Sequence, residues 1–112
     1  MKKKNILMAV AMIAIVSLVS ISCKKEDSPG ANEVFIQNEA YSPATITVTK
    51  GTTVKWTNKD SEQHSVTADA AGFDSGTLNA GQTYSFTPGT AGTFTYHCNF
   101  HGTMHGTLIV TN

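Results

Sequence analysis

A thiol, an imidazole and a thioether recur at every third position of Cys98-Asn99-Phe100-His101-Gly102-Thr103-Met104. A second candidate imidazole, His64, lies far upstream at the start of an expected strand. Two imidazoles, one thiolate and a weak thioether are the donors of a mononuclear copper site for one-electron transfer. Zinc would favour Cys, His and carboxylates, whereas thioether and thiolate together select copper. No residue carries this alone. A buried Cys is usually a small hydrophobe and a Met usually core filler. A His in a Gly-rich loop is usually a solvated polar residue. The argument rests on their co-occurrence at this spacing.

These donors must be brought together by strands. From Glu33 onward, short β-rich runs alternate with turn residues. Strands are expected at 34–36, 45–49, 53–57, 64–67, 83–86, 93–98 and 106–110, with an irregular stretch at 73–78. About seven to eight strands without helical periodicity imply an all-β fold, a Greek-key antiparallel sandwich. Many Thr residues suit a pleated, half-exposed surface. Alternation puts Phe94, Tyr96 and Cys98 on one face, so the thiol points inward. A coordinated thiol is deprotonated outright even where burial would keep it protonated. His101 and Met104 are expected in a turn after that strand, curled at Gly102.

At this point the chain resembles the cupredoxins, in the branch of plastocyanin, pseudoazurin and amicyanin. The Cys-x2-His-x2-Met spacing is closest to amicyanin. The likeness spans about residues 33–111. It includes Tyr41-Ser42-Pro43, Gly51 to Asn58, His64, Ser75 to Leu78, Gly92 to Cys98 and Met104-His105-Gly106. It implies eight strands in a Greek key, with one copper ion near one end. It implies His64, Cys98 and His101 as equatorial ligands and Met104 as the axial one. Asn58 and Ser65 are expected directly behind the ligands. Relatives usually carry Asn at the position of Ser65, where it ties the two ligand segments together. A Ser hydroxyl offers fewer donors for that task.

Two imidazoles remain. His97 alternates away from Cys98 and is expected on the outer face. His105 is expected at the rim. A His-Cys pair also occurs in multicopper enzymes, but those need several further His residues.

The N-terminus reads as a leader. Lys2, Lys3 and Lys4 precede an apolar run from Ile6 to Ile21, short for a membrane span. Ser22-Cys23 resembles a bacterial lipoprotein processing site, with Ser20 where such sites usually carry Leu. The expected organisation is a signal peptide at 1–22, a flexible tether at 23–32 and one domain at 33–112. Cys23 would be acylated, anchoring the protein to a bacterial membrane facing the periplasm or the cell surface. Each of the two cysteines sits in its own motif, so a disulfide between them is not expected.

The whole chain balances eight Lys against eight acids. Losing residues 1–22 removes three of those Lys and leaves a mildly acidic remainder. Nothing offers the basic stripe that nucleic acid requires. The expected function is a monomeric, exported carrier of single electrons, not an enzyme. Its partners would be redox proteins such as a c-type cytochrome or a copper or haem oxidoreductase. They would dock at an apolar patch of Phe100 and His101, which the resemblance makes the most exposed ligand. The alternative is a periplasmic copper-binding carrier that hands the ion over. That function usually brings Met- or His-rich tracts, which this chain lacks.

Overall fold

The computed structural model describes residues 28–112; the leader, Cys23 and the first part of the tether lie outside the described residues. Eight strands follow in order: β1 (Glu33–Ile36), β2 (Tyr41–Ser42), β3 (Thr45–Thr49), β4 (Val54–Asn58), β5 (Thr67–Ala68), β6 (Thr83–Phe86), β7 (Gly92–Cys98) and β8 (His101–Thr111). They form two four-stranded sheets, ordered β2-β1-β4-β6 and β3-β8-β7-β5. The all-β sandwich is present, but each sheet is mixed. Strand β1 pairs parallel with β4, and β3 parallel with β8. Hydrophobic alternation reports which face a residue takes, not the direction of its neighbour, so the expected antiparallel order fails at these two pairs.

The core follows from period-2 alternation. Ile46 and Val48 on β3, Val54 and Trp56 on β4, Tyr96 and Cys98 on β7, and Leu108 and Val110 on β8 all point inward. Trp56 Nε1 donates to the Tyr96 hydroxyl at 3.2 Å, and the two rings meet edge to face. This bond satisfies an indole N–H that burial would otherwise penalise. Burial pushes the Tyr96 phenol up to about 12, although the Trp56 bond pulls the other way. Tyr96 faces Gly106 across the β7–β8 ladder. A Cβ at Gly106 would lie 2.3 Å from the Tyr96 ring, so glycine is required there.

Two local expectations change. Strand β8 begins at His101, not at Gly106, and Cys98 pairs with His101 across a turn of Asn99 and Phe100. Gly102 therefore lies in an extended strand rather than a curled loop. The polar run His101-Gly102-Thr103 hides that strand from a hydrophobicity pattern. At 64–67, His64 forms only an isolated bridge to Leu78. The Val66 amide donates to Ser75 Oγ at 2.8 Å, so a side chain replaces a ladder partner before β5 starts.

Candidate metal centre

Three segments converge on one corner: the β4–β5 connection, the end of β7 and the start of β8. Cys98 ends β7 on its inward face and is 2 % exposed. Met104 lies on the inward face of β8, in the same core cluster as Cys98 and Leu108. The strand itself thus delivers the thioether, by the alternation that buries Leu108 and Val110. His64 is fully buried, with Nδ1 3.7 Å from Cys98 Sγ. The His64 and His101 rings lie 4.9 Å apart between centroids. The Phe100 amide donates to Cys98 Sγ at 3.4 Å.

Behind these side chains lies a closed hydrogen-bond system. Ser65 is buried, and its hydroxyl accepts the Asn99 amide at 2.9 Å, joining the His64 and Cys98 segments. Asn58 is buried at the end of β4. Its amide group donates to the Glu62 and Leu78 carbonyls at 2.8 and 2.9 Å, while its Oδ1 accepts the Asp60 amide. Asn58 therefore shapes the connection that carries His64. Tyr41 OH donates to the Ser65 carbonyl at 2.6 Å, and burial raises that phenol far above its ordinary value. Among the described residues, no buried side-chain polar atom lacks a partner.

Two carboxylates escaped the sequence reading. His64 Nε2 donates to Asp60 Oδ2 at 2.9 Å. Asp60 also accepts the Asn38 and Glu39 amides at 2.8 and 3.0 Å. Those amides come from the β1–β2 turn, where Asn38 and Glu39 both have φ of 57°. That left-handed pair aims two N–H groups at one carboxylate. Burial raises the Asp60 pKa, but these amides and His64 outweigh it and hold the group below the usual carboxylate range. Glu62 is the second: its Oε1 lies 3.6 Å from His101 Nε2, at the rim. Glu62, His64 and His101 bring ligand atoms within 4.8 Å of one another. The only sequence signal was spacing, four and two residues before His64.

Phe100 stands 45 % exposed at the turn beside His101. His97 turns to the outer face, where its Nδ1 donates to Asp69 at 2.6 Å and its Nε2 contacts Asn99 at 3.0 Å. The Asp69 bond holds the His97 pKa above its ordinary value despite some desolvation. His105 is exposed, with Nε2 donating to the Gly102 carbonyl.

The donor set and its geometry fit copper. Metal bonds to thiolate and imidazole run about 2.0–2.3 Å. One ion can therefore span the 3.7 Å between Cys98 Sγ and His64 Nδ1. A buried thiol, a buried imidazole and a buried thioether are soft donors, and His101 beside them is part-exposed.

An all-β sandwich with a soft-donor corner at the β7–β8 turn defines the class. The family model described as a cupredoxin-like domain matches residues 8–110, so the chain belongs to the cupredoxins. Its match starts upstream of Glu33, within the segment read as a leader. The chain is 33 % identical over 90 residues to amicyanin from Paracoccus denitrificans, covering 76 % of this chain and 69 % of that one. Among solved structures, a Cu(I) form of an amicyanin variant superposes with a TM-score of 0.68 at 33 % identity, over 76 % of this chain and 86 % of that one. A purple cupredoxin from Nitrosopumilus maritimus matches with a TM-score of 0.66 at 28 % identity, over 70 % of this chain and 98 % of that one. A copper-containing nitrite reductase from Thermus scotoductus, at 24 % identity, shares the fold alone. One copper ion is the cofactor of this family, and the chain is a blue-copper protein of the electron-carrier kind.

Proposed function

We propose that the protein is an exported shuttle of single electrons, holding one copper ion through His64, Cys98, His101 and Met104. Copper supplies the one-electron couple. The residues supply the rest. Cys98, His64 and Met104 are fixed by the strands and hydrogen bonds around them, so little rearrangement accompanies a change of charge. Ser65 keeps the two ligand segments in register. Asn58 fixes the connection bearing His64. The observation that carries the reading is the 3.7 Å approach of Cys98 Sγ to a fully buried His64 Nδ1.

Electrons would pass through the His101 edge, beside Phe100. A small apolar patch suits a brief encounter with a redox protein, such as a c-type cytochrome or a copper or haem oxidoreductase. The likeness to amicyanin supports a carrier rather than an enzyme. The proposed organisation keeps a signal peptide at 1–22, a tether at 23–32 and acylated Cys23. That anchor would confine the shuttle to the membrane surface, facing the periplasm or the cell exterior. Cys23→Ser should then yield unacylated protein in the soluble fraction.

Adding Cu(II) to the purified protein should produce an intense blue or purple colour. Ascorbate should discharge it, and Cys98→Ser should abolish it. A colourless product would sink this reading.

A further inference from the structure

The β4–β5 connection supplies a carboxylate to each imidazole of the corner. Asp60 meets His64 Nε2 at 2.9 Å, which leaves Nδ1 toward Cys98 Sγ. Glu62 stands 3.6 Å from His101 Nε2, so by the same division Nδ1 is the nitrogen left for an ion. We propose that Glu62 is a positioning residue for His101: its carboxylate accepts the Nε2–H, fixes the tautomer and favours the oxidised ion. This deepens the proposed function and rests on it.

The geometry supports that role over direct ligation. Glu62 is 57 % exposed and His101 26 %, whereas Cys98, Met104 and His64 are buried. The 3.6 Å separation exceeds hydrogen-bond reach by roughly half an ångström. Rotating an exposed carboxylate closes that gap. The Glu62 backbone is held, because its carbonyl accepts from buried Asn58 at 2.8 Å. A tethered backbone carrying an exposed carboxylate suits it to meet the His101 Nε2–H. Negative charge close to the ion stabilises its more positive oxidation state. It also places an anion at the edge where partners dock, which favours a cationic surface.

Glu62→Gln keeps the shape and removes the charge. Copper affinity of the metal-free protein is measured for both oxidation states by chelator competition, together with the midpoint potential. The His101 ring nitrogens are followed by 15N NMR in the diamagnetic Cu(I) form. Outer carboxylates typically contribute 10–100-fold to metal affinity. At this exposed site the expected result is a loss of about tenfold in Cu(II) affinity relative to Cu(I), a rise of about 59 mV. The Nε2–H signal should exchange faster in the variant, while the position of the visible band should stay in place. An unchanged affinity ratio and exchange rate would overturn the proposal and leave Glu62 a solvated rim residue. A shifted band with altered Cu(II) EPR would overturn it in favour of direct ligation. If the unmodified protein takes up copper without an intense visible band, the electron-shuttle reading itself fails.

Discussion

His64 and His101 meet at one corner, their ring centroids 4.9 Å apart, yet the fold treats them differently. His64 is fully buried, and Asp60, itself gripped by two amides of the β1–β2 turn, holds its outer nitrogen. His101 is part-exposed at the head of β8, with an exposed Glu62 carboxylate 3.6 Å from its Nε2. One imidazole is fixed before any ion arrives. The other keeps an edge open to solvent. The same side chain is therefore walled in at one position and open to solvent at the other.

The largest test removes each imidazole. His64→Ala and His101→Ala should both lose more than about a hundredfold in copper affinity. Added imidazole should restore colour only to His101→Ala, because its cavity opens to water while the His64 cavity is sealed. Equal rescue of both would erase the distinction.

Gly106→Ala examines what holds the fixed side. The new Cβ would strike the Tyr96 ring. Tyr96 packs on Tyr41 at 4.7 Å between centroids, and Tyr41 OH supports the Ser65 carbonyl beside His64. Overpacking of this kind costs about 3 kcal/mol. Thermal unfolding of the metal-free variant should show that loss. Asp60→Asn should then lower copper affinity by roughly thirtyfold, within the range for outer partners, and by more than Glu62→Gln does. The reverse order, read by chelator competition, would make His101 the better-held ligand.

The smallest effect lies on the outer face. The Thr95 and His97 hydrogen bonds depress the Asp69 pKa, and the Asp69 bond raises that of His97. A raised His contributes stability that is present below about pH 6.5 and lost as pH climbs through its folded value. A depressed Asp contributes above about pH 3.9 and loses it as pH falls through its folded value. The pair should therefore help most between roughly pH 4 and 6.5. Melting the metal-free protein and His97→Gln across pH should show a slight gap there, closing above neutrality. A gap that grows at alkaline pH would contradict this assignment.

Much of this was legible beforehand. Strands at 45–49 and 83–86 read directly from β-branched and aromatic residues between turn residues, and the folded strands match. Alternation alone turned Tyr96 and Cys98 inward and His97 outward. The start of β8 was not legible, because His101-Gly102-Thr103 carries no apolar rhythm. Asp60 and Glu62 were missed for a different reason. A carboxylate in a polar turn looks solvated until the chain folds an imidazole onto it.

Sequence by itself determined the candidate donors, a thiol, two imidazoles and a thioether, with the period-2 faces that bury Cys98. Those follow from side-chain chemistry and strand geometry, which are local. Tertiary structure decided that β1 and β3 pair in parallel with distant strands. It also decided that His64 crosses to Cys98, and that one imidazole is locked by Asp60 while the other is left to Glu62. Those depend on contacts between residues far apart in the chain. Their distances are set by how two sheets pack, and no local pattern encodes them.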